Sequence, residues 1–156
     1  DARAVMRRLL LVTIVAAAAL AACTSPPPPQ RDPFGNTLAA AITRAFDGKG
    51  SVKIADVTPF AWQRFYAFKP ASSPDQINGT LGFTWAKDYS DQTDTYCLLV
   101  FVSGTTVVHS LLFPRYQGDC KTIETGPYTP ASAVFTVTTT GKTTGGAPFL
   151  QLHTRS

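Results

Sequence analysis

Five residues with aromatic or basic side chains recur at every second position between residues 60 and 68. They are Phe60, Trp62, Arg64, Tyr66 and Phe68. Because side chains alternate between the two faces of a β-strand, this spacing predicts one strand face with four aromatic rings around a guanidinium. Trp, Tyr and Arg contribute most at binding interfaces, so Trp62, Arg64 and Tyr66 form a candidate binding surface. The alternative interpretation places the rings in the core and lets Arg64 reach solvent or a carboxylate.

Other residue groups fit catalysis poorly. Nucleophilic catalysis needs a nucleophile, a base and a group that orients the base, and the only histidines are His109 and His153. His109 lies in an apolar run, where a hydrogen-bonded core histidine is the simpler interpretation. Asp88, Asp91 and Asp94 leave a carboxylate pair for glycan hydrolysis open as an alternative, but their spacing does not match a calcium loop. We therefore expect no catalytic residues and no metal.

The N-terminal segment has the pattern of an export signal. An unbroken run of small and apolar residues from 9 to 22 follows Arg7 and Arg8, and it is too short to span a bilayer as a mature helix. Leu20-Ala21-Ala22-Cys23 resembles the lipobox of bacterial lipoproteins. This resemblance implies that residues 1–22, upstream residues plus signal peptide, are removed. It also implies that Cys23 is lipidated, with palmitate as a typical acyl chain and no other cofactor.

Residues 23–34 are predicted to be the lipidated Cys and a Pro-rich tether. Four consecutive prolines favour an extended polyproline II segment. Thr24 stands where an Asp retains enterobacterial lipoproteins at the inner membrane, so the resemblance implies the periplasmic side of the outer membrane in a Gram-negative organism. From Cys23 onward the chain has eleven Lys and Arg and nine Asp and Glu. Their scatter argues against nucleic-acid binding. The expected partners are the membrane, through the lipid anchor, and an envelope protein.

Two cysteines remain once Cys23 is lipidated. Cys97 and Cys120 are an even pair, and an exported protein enters a compartment where such pairs oxidise, which predicts a disulfide. The alternative is a metal or redox pair. It fits less well because the spacing is not Cys-x-x-Cys and only two histidines could assist.

Local patterns predict an α+β domain. Asn36 is the expected cap of a helix over residues 37–47, and Ser73 with Gln76 predicts a capping box for a second helix that ends at Gly82. A hairpin is expected around residues 103–104, with Leu98 opposite His109 and both faces covered. We expect an antiparallel sheet of five to seven strands, two helices and one disulfide within a single domain over residues 35–156. The predicted strands cover residues 51–57, 61–68, 96–102, 105–113, 133–139 and 149–153.

One longer pattern points to a family. It reads Ile54-x-x-Val57-x-x-Phe60-x-Trp62-x-Arg64-Phe65-Tyr66-x-Phe68-x-Pro70, then Ile77-x-x-x-Leu81-Gly82. It is similar to a pattern in small bacterial envelope lipoproteins, some of them prophage-encoded, in which an Asp commonly follows the Trp where Gln63 stands here.

That resemblance implies the architecture and the envelope location. Because the sequence also lacks a catalytic constellation, we expect a membrane-anchored, non-catalytic binding or interaction module rather than an enzyme. Its working surface is expected at Trp62, Arg64 and Tyr66, or at the Thr-rich region 138–146. Two alternatives stay open. One is a structural component of an envelope complex, and the other is an Asp-dependent hydrolase of the cell wall or of glycans.

Overall fold

The structure, a computed structural model, describes residues 32–86 and 94–155. Within these residues there is no helix with both the length and the apolar character needed to cross a membrane. Two short 3-10 helices, Ile54–Asp56 and Arg115–Gln117, link the longer elements. Those elements are α1 (Pro33–Asp47), β1 (Ser51–Lys53), β2 (Arg64–Phe68), α2 (Pro74–Leu81), β3 (Tyr96–Ser103), β4 (Thr106–Pro114), β5 (Val134–Lys142) and β6 (Pro148–Thr154).

The six strands form two antiparallel sheets of three strands each. One has the order β1-β5-β6 and the other the order β2-β3-β4. The α+β class and two helices agree with the sequence prediction, but a single sheet of five to seven strands was wrong. The physical reason lies at the outer edge of β2, where Phe65 pairs with Tyr128. A loop segment therefore occupies the position that a strand of the other sheet would need.

Helix α1 begins four residues earlier than its sequence pattern predicted. Asp32, rather than Asn36, is the N-cap, and its Oδ1 accepts a hydrogen bond of 2.9 Å from the amide of Phe34. Pro33 fits the first helical position because that position needs no amide donor. The earlier start places Phe34 in the core beside Leu38.

Helix α2 follows its predicted chemistry residue by residue. The Ser73 hydroxyl accepts a hydrogen bond from the Gln76 amide at 3.2 Å, and the Gln76 side chain accepts one from the Ser73 amide at 2.8 Å. Gly82 ends the helix in the left-handed conformation, with φ of 81°. The side chain of Asn78 then holds the following loop through hydrogen bonds to the backbone of Trp85 and Ala86.

The β3–β4 hairpin exists, but its predicted register was wrong by three residues. Leu98 lies opposite Leu112 rather than His109, and a bulge shifts the ladder between Phe101 and Val102. The turn residues are 104 and 105, because β3 continues to Ser103. Strand β3 is buried on both faces as expected. Strand β4 is not, since it forms the edge of its sheet.

The core consists of two clusters on opposite faces of the β2-β3-β4 sheet. Helix α1, the other sheet and the odd-numbered residues of β3 share the larger cluster, which contains Phe65, Phe101 and Phe135. Helix α2 and the even-numbered residues of β3 share the smaller cluster, which contains Tyr66 and Val100. The sheet is therefore covered on both faces at β2 and β3.

Candidate functional site

The aromatic row between residues 60 and 68 does not form one strand face. Strand β2 begins only at Arg64, so Phe60 and Trp62 lie in the preceding loop. Trp62 belongs to the larger core cluster, and Phe60 packs against that cluster. Tyr66 and Phe68 belong to the smaller cluster on the other face of the sheet. The expected platform is thus divided between two sides of a sheet.

Trp62 and Tyr66, two of the three residues of the candidate binding surface, are buried. Their exposed fractions are 8% and 1%. The Trp62 indole donates a hydrogen bond of 2.9 Å to the Thr58 hydroxyl, and its ring meets that of Phe101 edge-on at 5.5 Å. The Tyr66 ring stacks on Phe68 at 6.0 Å. These rings therefore contribute to packing, the alternative that the sequence left open, and present no platform to a ligand.

Arg64, the third residue, is half-buried and holds the β3–β4 turn. Its guanidinium donates to the carbonyl oxygen of Gly104 and, at 3.3 Å, to the Tyr66 hydroxyl. Gln63 accepts a hydrogen bond of 2.8 Å from the Gly104 amide. Gly104 has a φ of 59°, which favours glycine at this turn. Two consecutive side chains, forty residues away in sequence, thus fix both backbone groups of the turn glycine.

His109 pairs with a residue that the sequence assigned to the tether. Its Nε2 lies 2.7 Å from Oδ2 of Asp32, the same carboxylate that caps α1. The imidazole also packs on Phe60, with ring centroids 4.6 Å apart. This is the satisfied histidine that the sequence favoured. The carboxylate could not be foreseen, because the two residues are 77 positions apart.

His153 lies in β6 on the outer face of the β1-β5-β6 sheet. Its Nε2 is 2.8 Å from the Thr138 hydroxyl. The neighbouring Thr139 and Thr140 are exposed, and so are residues 144–146. Thr143 is half-buried. The Thr-rich region is therefore an exposed end of the β5–β6 hairpin, with strand structure as far as Lys142 and a register shift between Thr139 and Lys142.

A charged network joins the base of the β3–β4 hairpin to the other sheet. Arg115 donates to both carboxylate oxygens of buried Asp119, each at 2.9 Å, and to Asp94 at 2.7 Å. Its guanidinium also lies 5.7 Å from the centre of the Phe149 ring. The hydrogen bonds that Arg115 donates to Asp119 raise the pKa of Arg115. A hydrogen bond from Lys121 and the charge of Arg115 hold the pKa of the Asp94 carboxyl below its usual value.

The predicted disulfide joins Cys97 of β3 to Cys120, and both residues are fully buried. The Sγ atoms and a carboxylate oxygen of Asp119 lie within 4.8 Å of one another. That donor set does not suit a metal ion. The sulfurs are bonded to each other rather than present as thiolates, and both Asp119 oxygens already bind Arg115.

A shallow cleft of about 350 Å³ lies between the C-terminal half of α1 and β1. Arg44 and Lys53 line it, together with Asp56, which is 3.9 Å from Lys53. The cleft is open, and it lies at the negative end of the helix dipole, which disfavours an anion. Because Lys53 is also paired with Asp56, the cleft has little to hold an anion.

The largest exposed apolar side chains lie on and beside strand β4. Val108 is 40% exposed, Leu112 is 43% exposed and Tyr116 follows in the adjoining 3-10 helix. Sequence analysis missed this surface because it treated the hairpin as central and covered. The sequence feature that could have revealed this surface is the absence of Lys, Arg, Asp and Glu between residues 103 and 114.

Several predicted residues lie outside the part of the chain that the structure describes. These are Cys23 with the whole signal segment, Thr24 with most of the tether, Asp88 and Asp91. Comparison with protein-family models, curated proteins and solved structures finds no match for this chain.

Proposed function

We propose that this protein is an exported envelope lipoprotein, anchored through lipid on Cys23, whose domain is a non-catalytic interaction module. The observation that carries the proposal is the sequence Leu20-Ala21-Ala22-Cys23 after a basic and apolar segment. Thr24 in place of Asp favours the periplasmic side of the outer membrane in a Gram-negative cell. The domain then faces the periplasm, where an envelope protein is the partner.

The start of the folded domain supports a short tether. Asp32 caps α1, so eight residues separate Cys23 from the first residue of the domain. In an extended polyproline conformation they span about 25 Å, at about 3.1 Å per residue. Such a linker keeps the domain close to the lipid surface while leaving it outside the bilayer. The buried disulfide between Cys97 and Cys120 supports an oxidising compartment.

The surroundings of the titratable groups support a non-catalytic module. A glycosidase needs a general acid with a raised pKa, whereas the pKa of Asp94 is lowered by Lys121 and Arg115. Asp119 is held by Arg115, and His109 by Asp32. Within residues 32–86 and 94–155, no Ser, Thr or Cys side chain makes a hydrogen bond with His109. These groups are used to hold the fold together.

Metabolic labelling tests the anchor. The full chain is expressed in a bacterial host with an alkyne-bearing palmitate analogue, beside the Cys23→Ala variant and the matched control Ser25→Ala. We expect label and membrane association for the wild type and Ser25→Ala, and neither for Cys23→Ala, because the thiol is the acceptor of the diacylglyceryl group. An unlabelled wild type, or label that persists in Cys23→Ala, contradicts the proposal.

A further inference from the structure

Three of the four outer sheet edges are closed or short. Phe65 of β2 exchanges two backbone hydrogen bonds with Tyr128, at 2.8 and 2.9 Å. At β6, the Asp119 amide donates to Leu150 at 2.9 Å, and its carbonyl accepts from Leu152 at 3.0 Å. Strand β1 has only three residues. Proteins protect sheet edges in these ways because unpaired backbone groups invite another strand.

The fourth edge, that of β4, has no such protection in the part of the chain that the structure describes. Its nine residues make backbone ladder contacts only with β3 among residues 32–86 and 94–155. It contains no Lys, Arg, Asp or Glu, and its single proline is its last residue, Pro114. Its bulge lies towards the turn, so the ladder is regular from His109 to Phe113.

The hydrogen-bond pattern shows which backbone groups of β4 point away from the sheet. The Arg115 amide donates to the Thr95 carbonyl, so odd-numbered residues of the regular segment face β3. Ser110 and Leu112 therefore direct their amide and carbonyl groups outward. Ser110 is also an exposed residue, as is Val108 two positions before it. Within the regular segment, the exposed side chain of Leu112 lies beside these outward backbone groups, and Val108 at the bulge adds a second exposed apolar side chain.

We propose that two copies of this protein associate through β4, as antiparallel strands related by a two-fold axis at Ser110. Ser110 of one copy then faces Ser110 of the other, and each Val108 faces Leu112 of the second copy. The outward amides and carbonyls of Ser110 pair reciprocally. Each three-stranded sheet continues into the other, giving six strands. This names a partner for the interaction module proposed above.

The register follows from the strand itself. An axis at Leu111 would let Ser110 pair reciprocally with Leu112 of the second copy, but it would place the exposed Val108 opposite Pro114 and leave the apolar side chains unmatched. An axis at Leu112 would bring Pro114, which has no amide, into the ladder opposite Ser110. With the axis at Ser110, Val108 and Leu112 lie symmetrically on either side of it. Each of them then covers the other residue of the second copy.

A second copy suits this edge because the strand is complementary to itself. Two identical strands with charged residues would repel, but β4 contains no Lys, Arg, Asp or Glu, and its histidine, His109, lies against Asp32 of its own chain. An edge of nine residues buries less than the roughly 1,200 Å² typical of stable complexes. We therefore expect a weak dimer that forms when the copies are concentrated on one membrane. Only this concentration effect rests on the proposed anchoring.

Cysteine cross-linking tests the contact and its register. Ser110→Cys is introduced into the full chain, and bacterial membranes are oxidised and run on a non-reducing gel. Directly opposite residues have Cα atoms about 5.5 Å apart, within the range that a disulfide spans. We expect at least fivefold more dimer than for Thr140→Cys, a matched exposed residue on β5. Dimer at the level of that control overturns the proposal.

Two further variants test the axis. In the proposed pairing, position 108 is about 14 Å from position 108 of the second copy. Val108→Cys and Leu112→Cys should therefore cross-link weakly alone and efficiently when co-expressed with different tags. Equal cross-linking by Val108→Cys alone overturns the register. Adducts of Ser110→Cys with a protein of another mass overturn the second copy as the occupant.

A charge on the edge gives an independent measurement. Ser110→Lys places two ammonium groups opposite each other at the axis, so the dissociation constant of the detergent-solubilised full chain should rise at least tenfold in sedimentation equilibrium. Thr140→Lys adds the same charge elsewhere and should leave it unchanged. Equal dissociation constants for wild type and Ser110→Lys overturn the proposal. Because label on Cys23 is read separately, a failure here is distinguishable from a failure of the anchor.

Discussion

Replacing Trp62 with Ala should destabilise the fold rather than remove a binding surface. The side chain is 92% buried in the larger core cluster, since its exposed fraction is 8%. Its ring contacts Phe65 and Phe101 edge-on, at 6.2 and 5.5 Å. Truncating a buried Trp to Ala costs about 3–5 kcal/mol. Against a typical total of about 5–15 kcal/mol, this loss should lower the urea midpoint by about 2 M.

Urea titration followed by far-UV circular dichroism measures this change, because the substitution removes one of only two tryptophans and so alters the fluorescence. Trp62→Phe keeps a ring in the cluster but loses the hydrogen bond to Thr58, so we expect a loss of about 1 kcal/mol. The exposed Val108→Ala should stay within about 0.5 kcal/mol of the wild type. A cooperative Trp62→Ala variant of wild-type stability would refute the reasoning and restore the aromatic surface as a candidate.

Three further substitutions test the packing around the hairpin. The double change Cys97→Ala with Cys120→Ala should lower the free energy of unfolding by about 3.4 kcal/mol in the chain-entropy treatment, given a separation of 23 residues. Equal urea midpoints for the wild type with and without reductant would contradict this. Asp119→Asn leaves Arg115 without its bidentate partner and should lower the free energy of unfolding by about 3 kcal/mol. A loss of less than about 1 kcal/mol by calorimetry would show that the pair contributes little to stability. Gly126→Ala should lower the thermal midpoint by at least about 4 °C, since φ is 116° and an added Cβ would lie 2.6 Å from the carbonyl of Phe65; an unchanged midpoint would show that the loop adapts.

Elements fixed by neighbouring residues could be predicted from the sequence. Helix α2 illustrates this, because Ser73, Gln76 and Gly82 act within one or two turns of one another. The disulfide was also predicted, since the expected lipidation of Cys23 leaves Cys97 and Cys120 as a single pair. The start of α1 was missed although Asp32 and Pro33 are good capping residues, because the proline run before them suggested that the tether continued.

Features that depend on distant residues could not be read from the pattern. The period of two between residues 60 and 68 implied one long strand. In the structure, Gln63 and Arg64 bind the turn glycine, Gly104, and the strand begins only at Arg64. The hairpin register failed by three residues because the bulge near Val102 and the exact turn positions leave no local signature. The number of sheets depended on whether residues 125–128 or a strand would occupy the edge of β2.

Arg64, first taken as part of a binding surface, has a different function in this arrangement. Arg64 and Gln63 bind the carbonyl and the amide of Gly104, so they fix the turn from which β4 starts. At the other end of the hairpin, Arg115 ties the end of β4 to Asp119 and Asp94. A strand held at both ends loses little conformational entropy when another strand pairs with it, which favours association. These polar contacts therefore fix the geometry of the β4 edge. Weakening either end should loosen β4 and reduce cross-linking through Ser110 without touching any group at the contact.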